Sequence, residues 1–461
     1  MTTVRARTLT GALVAVSLLV IAPTTPAWGD EPPTDAVGVE RVADAPAEAD
    51  DAAPVDAPPA EPPTEPAPEP EPAALDTQPD TAPAPAPDPP ADAADPPVTA
   101  AVIPEAELVG IAGAPVSDAL LIAWVGTVEP TTKMTLQQAL TAAAAGETVH
   151  IVPGAYQFAT LLSAPRSVTI TAASATQLFG RLTFAGTALT TTNVVLSPAA
   201  ASTSVVTVTT ASGASLTDIQ IANPDAFAGS AQIGINLGAS AGATVTDATI
   251  SGMTTGISAT AANTGAGLTI TRANVTFRAK GIGLGATAAP TVTGSTLTGP
   301  TGSGTMGIDY GTSSAATITN TTITGVLAGI STGTLTSTAA GPRISGGSIE
   351  ATGNAINLAA TSGGSVTGTT LTCLVPTNNA AAIGVNINNA TGVTVQNVTV
   401  SGFSNGVAVT NASAPTGIQV LGGDIAAVSN AIALGTAVSP VVNGTTVRGQ
   451  ERAGVVATTG V

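Results

Sequence analysis

Three carboxylates carry the first chemistry in a chain that is otherwise poor in reactive side chains. Asp218 in LTDIQI and Asp247 in VTDATI hold the same place in two successive copies of a repeated phrase, and Asp225 follows in the loop NPDAFAGS. If the copies stack as neighbouring strands, Asp218 and Asp247 lie about 4.8 Å apart. Carboxylates that close raise one another's pKa, which suits acid–base work, or share a cation. Asp218, Asp225 and Asp247 are thus the catalytic candidates, and Asp218 with Asp247 the metal candidates. Calcium is the one ion the pattern would admit; no other cofactor is indicated. Against this stands Arg272, in the same place one copy later. Asp is an ordinary turn residue, so an acid pair capping turns and neutralised by Arg272 is the competing reading.

The other reactive residues are few. His150 is the single histidine, which excludes a mechanism needing two imidazoles and any His-rich metal centre. It sits between inward Val149 and Ile151 and is expected on the surface. Cys373 is the single cysteine, so no disulfide forms within the chain, and its slot points inward. Arg278 and Lys280 make a small basic spot on the coil of Arg272. Threonine is far more abundant. Thr296-Leu297-Thr298, Thr322-Ile323-Thr324 and Thr370-Leu371-Thr372 each set an inward aliphatic between two outward threonines. Stacked, they would give two columns of hydroxyls and methyls, so Thr296, Thr298, Thr322, Thr324, Thr370 and Thr372 are the binding candidates. Thr169-Ile170-Thr171 and Thr269-Ile270-Thr271 repeat the arrangement, while Ser348-Ile349-Glu350 breaks it with a charge. Threonine also favours exposed strand positions without any ligand.

These residues are positioned by a repeat. VTDATISG from Val245, ITRANVTF from Ile270, VTGSTLTG from Val292, ITNTTITG from Ile318, ISGGSIEA from Ile344 and VTGTTLTC from Val366 align. A second phrase follows each, among them Gly256-Ile257, Gly281-Ile282, Gly307-Ile308, Gly329-Ile330 and Gly406-Val407, at intervals of 22 to 29 residues. Strands this short cannot bury a face singly; stacked as coils of a solenoid they can. An aromatic content of 2% suits a narrow aliphatic bore. The repeats imply about 13 coils, some 60 Å at ~4.8 Å per coil.

Upstream, TLQQALTAAAAGETVHIVPGAY opens the array. Thr135 and Gln138 fit a capping box, Leu136, Ala139, Leu140 and Ala143 form one apolar face, and Gly146 is expected to end the helix. Such a helix would plug the first coil, whose strand edges are otherwise exposed. No comparable cap follows the last repeat: Thr459-Gly460-Val461 closes the sequence, so that coil pairs with something further or the chain is a fragment. This opening phrase, with the coil repeats from about Thr135 onward, resembles the right-handed parallel β-helix proteins of the pectin-lyase-like superfamily. The resemblance implies an all-β, right-handed parallel β-helix with a short N-terminal capping helix. The enzymes of that superfamily use clustered acids, calcium, arginines or a histidine. The RxPxxR arginine signature is missing here, Arg166 and Arg343 each lacking a second arginine, and so is a polygalacturonase-type Asp-Asp pair.

Arg5 and Arg7 precede the apolar run GALVAVSLLVIA, and Ala27 and Gly29 are the small residues of a cleavage site. Residues 1–29 are expected to be a secretory signal, the run being short of the roughly 20 residues that span a bilayer. Residues 30–104 hold 18 of the 30 acids and one base; this Pro/Ala-rich tract is expected to be a disordered acidic spacer. Residues 105–461 are expected to form the β-helix domain. The charge of −18 is almost entirely the spacer's and argues against nucleic acid as a partner. The expectation is a secreted or cell-surface module with no transmembrane span in the mature chain. It is expected to be non-catalytic and to contact polysaccharide, a cell-surface glycan or another extended surface. The alternatives are a polysaccharide lyase or glycoside hydrolase using the Asp cluster, and an ice-binding or adhesive protein using threonine ladders.

Overall fold

The computed structural model describes residues 114–457, apart from 115, 200–203, 211, 225–231, 260–266, 303, 334–339, 376–380, 411–413 and 450–452. The expected signal, the spacer and Asp225 therefore lie outside the described residues.

Short strands stack in parallel into three ladders. The first passes from Glu147–Ile151 through Val168–Phe179, Ala188–Ser197, Ser215–Thr217 and Thr244–Thr246 to Val441–Asn443. The second passes through Gln220–Ala222, Asn274–Gly283, Thr296–Thr298 and Thr322–Val326 to Thr446–Arg448. The third starts at Leu162–Ala164 and includes Met306–Gly311 and Ile356–Ala359. Each ladder threads thirteen described strands, the number the repeats imply. The protein is an all-β parallel β-solenoid with almost no helix.

Alternation fills the bore. In the second ladder Ile250, Val275, Leu297, Ile323, Ile349 and Leu371 pair in register, and all are buried. The first ladder matches them with Leu216, Val245, Ile270, Val292 and Ile318, and the third with Ile257, Ile282, Ile308 and Ile330. Buried together they form one continuous core, each side chain contributing roughly 1.5–3 kcal/mol. The Gly-Ile phrase has its reason here. A Cβ on Gly307 would stand 2.4 Å from Ile323 Cγ2, and one on Gly329 2.3 Å from Ile349 Cγ2, so in these coils the third ladder approaches the second too closely for a side chain. Ala355 and Ala431, buried in the same place, are the largest residues the slot takes in the coils that follow.

A two-residue bend joins the first ladder to the second. Its first residue takes a positive φ in coil after coil: Asp218 at 55°, Asp247 at 55°, Arg272 at 50°, Gly294 at 59° and Asn320 at 49°. Each N–H donates to the next coil, Asp247 to Thr271 O at 3.1 Å, Arg272 to Thr293 O at 2.9 Å and Gly294 to Thr319 O at 3.0 Å. Left-handed backbone favours Gly, Asn and Asp. That is the composition of the slot.

Three different devices cover the first coil. Ala123–Val125 pairs antiparallel with the edge strand Glu147–Ile151. Ser117 N–H donates to Gln157 O at 2.7 Å at the second edge. The helix Leu136–Ala142 covers the third, where Gln137 Nε2 donates to Ser163 O at 3.1 Å and Ser163 N–H to Gln137 Oε1 at 2.8 Å. One side-chain amide thus makes both bonds a neighbouring strand would. The Thr135–Gln138 capping box forms as expected, and Leu136, Ala139, Leu140 and Ala143 are buried. The helix stops at Ala142, earlier than Gly146: Ala143 turns extended at ψ 130°. Gly146, at φ 84°, instead makes the turn into the first strand. In the last described coil the bore residues Val442 and Val455 are 37% and 49% exposed. Among the described residues no helix is long and apolar enough to cross a membrane.

Candidate functional site

The acid slot is built by the bend just described. Thr217, Thr246 and Thr271 pair in register, which sets Asp218, Asp247 and Arg272 in adjacent coils. Arg272 Nε donates to Asp247 Oδ1 at 2.7 Å and Nη2 to Oδ2 at 2.8 Å. The guanidinium occupies both oxygens of Asp247. Burial raises the Asp218 carboxyl above the usual carboxylate range, the charge of Asp247 adds to this, and Arg272 opposes it. What the arrangement offers is a surface ion pair beside one carboxyl of raised pKa. Among the described residues no three His, Cys, Asp or Glu side chains gather as a metal site would require. The third acid of the trio, Asp225, lies outside the described residues.

His150 faces outward and half-buried on the first strand. Its ring stacks on Trp124 at 5.2 Å and 11°, across the antiparallel pair. Lys133 Nζ stands 5.8 Å from the Trp124 ring and 2.7 Å from Glu129. This stack fastens the covering strand to the first coil. Cys373 is buried, its thiol pushed up by burial while a backbone hydrogen bond at Val375 opposes the shift.

The six candidate threonines all lie outward on the second ladder. Thr296 pairs with Thr322 and Thr298 with Thr324. The next coil offers Ser348 beside Thr322, and then Thr370 and Thr372 beside Ser348 and Glu350. Thr370 and Thr372 are therefore separated from the other four by a coil that carries a carboxylate.

A longer array lies on the first ladder. Thr148, Thr169, Thr190, Thr217, Thr246, Thr271, Thr293, Thr319, Ser345 and Thr367 pair one to the next through consecutive strands. This hydroxyl column has no interruption over nine steps, about 43 Å at the strand spacing. Beside it Thr244, Thr269, Thr291 and Thr317 make a second column, ended by Arg343. All of these threonines are half-buried, each flanked by its neighbours above and below. The signal was in the sequence as TVTD, TITR, TVTG and TITN. Thr169-Ile170-Thr171 and Thr269-Ile270-Thr271 already carry the arrangement in the sequence; that Thr169 and Thr271 share one column is set by the register of the coils.

Residues 123–292 match a family described as "Protein of unknown function (DUF1565)". The match covers the cap and the first half of the coils. Among solved structures the chain is similar to the A-module of the Azotobacter vinelandii mannuronan C-5 epimerase AlgE6. The identity is 16% and the TM-score 0.35, over 68% of this chain and 93% of that one. It is also similar to the N-terminal fragment of gene product 12 of bacteriophage Phi29, at 14% identity and TM-score 0.43, over 69% of this chain and 68% of that one. Likenesses of this strength carry no functional argument. No curated protein matches.

Proposed function

We propose that this chain is an exported, cell-surface β-solenoid module that contacts polysaccharide or another extended, regular surface and catalyses nothing. The observation that supports this reading is the uninterrupted hydroxyl column from Thr148 to Thr367 on the first ladder. Backbone pairing holds its members at one spacing, so little conformational freedom is left to be lost on contact. Hydroxyls can both donate and accept, and the methyls between them release water when covered. A long polymer lying along the solenoid axis meets the same groups again and again, and many weak contacts add as linked sites do. An ice-binding or adhesive face is a second reading. It draws on the four coils where both outward positions are threonine, Thr244/Thr246 to Thr317/Thr319, which make a two-dimensional grid of about 4.8 by 6.8 Å.

The test is sedimentation of the purified chain with microcrystalline cellulose and with chitin. Thr293→Lys with Thr319→Lys is expected to reduce binding at least tenfold, with the melting temperature moved by no more than a few degrees. Thr298→Lys with Thr324→Lys, on the second ladder, is expected to bind as the wild type does. Failure of the wild type to sediment with either polymer, with thermal hysteresis present, would favour the ice-binding reading. Neither activity would leave the column as a sheet surface only.

A further inference from the structure

The third ladder carries a groove that plays no part in the surface just described. Its volume is about 400 Å³, and Ile233, Thr255, Ala259, Lys280, Gly283 and Asp309 are among its lining residues. It spans four successive coils: Ile233, Thr255 and Lys280 stack in one outward column, and Asn236, Ser258, Gly283 and Asp309 in the next. Farther along, the second column continues as Ser331, Asn357 and Asn386. Of these residues Gly283 alone lacks a side chain.

Nothing in the packing asks for glycine there. Gly283 is not left-handed, and a Cβ built on it meets only Ser258 Oγ, at 3.9 Å. Gly281, two residues earlier, is different: its Cβ would stand 2.6 Å from Gly307 O. The gap at Gly283 therefore makes groove and not fold. Across it runs the ion pair of Lys280 Nζ with Asp309 Oδ2, at 2.5 Å. The Asp309 side chain is 23% exposed and that of Lys280 40%. Asp309 Oδ1 also accepts from Gly311 N–H, at 3.2 Å. An ammonium has three donors and a carboxylate about four lone-pair sites, so both groups have capacity left toward the groove.

We infer that this groove is a binding site for a neutral pyranose sugar. One sugar hydroxyl donates to Asp309 while a neighbouring oxygen accepts from Lys280. The C–H face of the ring lies over Gly283, with Ala279 and Ile233 as the apolar wall. The volume is at the small end of ligand pockets, which run roughly 300–1,000 Å³, and suits one or two rings. Asp309 sets the charge preference: a uronate carboxylate in the same place would face a carboxylate.

The site is independent of the threonine column, and its test separates the two. Saturation-transfer NMR and calorimetry would be run with cellotetraose, xylotetraose, maltotetraose and mannotetraose, and with trigalacturonate as the anionic comparison. The wild type is expected to bind at least one neutral sugar saturably. Gly283→Val, which puts a strand-favouring side chain into free space, is expected to weaken that binding at least tenfold with an unchanged melting temperature. Lys280→Met is expected to weaken it as well, and decides alone if the valine variant unfolds. Thr293→Lys with Thr319→Lys is expected to bind the soluble sugar normally. Binding of no neutral sugar, or undiminished binding by Gly283→Val and Lys280→Met, overturns the inference. So does trigalacturonate binding as tightly as the best neutral sugar.

Discussion

Asp218 and Asp247 owe their residue type to the backbone. Each sits at a left-handed bend where Gly, Asn and Asp are the residues of least strain. Two acids in successive coils are what such a slot yields when Asp falls there twice. Arg272, in the same slot, pays for its φ of 50° by holding Asp247 in two hydrogen bonds. Exposed pairs of this kind are worth roughly 0–1 kcal/mol. Asp218 has no such bidentate partner, and its pKa is raised. The folded state therefore binds its proton more tightly than the unfolded state does. The contribution is favourable below the unfolded pKa and is lost as pH rises through the higher folded value. Asp218→Asn keeps a residue suited to the bend and removes the charge. It is expected to raise the melting temperature at pH 7 by about 1–2 °C, with the gain gone by about pH 3. Calcium is expected to shift wild type and variant alike. Melting from pH 3 to 8, with and without calcium, checks both; a calcium shift that vanishes only in the variant would support the metal reading.

At the scale of the strand, one face is core and the other is free to vary. Ile323 is fully buried, between Leu297 and Ile349 in its ladder and against Gly307 of the third. Ile323→Asp puts an unpaired charge in that bore and is expected to cost 4 kcal/mol or more, melting several coils. Thr324→Asp, one residue on and outward, is expected to cost about 1 kcal/mol or less. Equal losses in denaturant titrations would contradict the assignment of faces. This division was legible in the sequence, because inward aliphatics recur with the pleat and the Gly-Ile phrase recurs with the coil. The capping helix was legible too, through Thr135 and Gln138. The strand Ala123–Val125 was not: three residues, AWV, carry no period, and only its pairing with Glu147–Ile151 defines it. The helix end at Ala142 was hidden for a similar reason. A run of alanines has no stop signal, and Gly146 drew the boundary to itself.

Across the whole array the sheets differ in what they present to solvent. The second ladder alternates threonine with Asn274, Ser348, Glu350 and Asp424. The third carries Lys280, Asp309 and a run of asparagines in which Asn386 Nδ2 donates to Asn357 Oδ1 at 3.0 Å. Only the first repeats one chemical group over ten coils. Which sheet would be uniform could not be read from triplets alone. Register across coils decides it, and coils of unequal length conceal register until the strands are paired. The Lys280–Asp309 groove was equally hidden, since its two charges lie 29 residues apart and the gap between them is a missing side chain.

Cysteine protection distinguishes the first ladder as the contact face from the other two. Thr293→Cys, Thr324→Cys and Ser331→Cys place one small thiol outward on the first, second and third ladders respectively. The native Cys373 is buried, with its thiol pushed up, and contributes little background. Alkylation by iodoacetamide would be timed with the protein free and with it saturated on microcrystalline cellulose or chitin. Thr293→Cys is expected to be slowed at least fivefold on the polymer while Thr324→Cys and Ser331→Cys react at their free rates. Protection at Thr324→Cys or Ser331→Cys with Thr293→Cys still open would contradict the first ladder as the contact face.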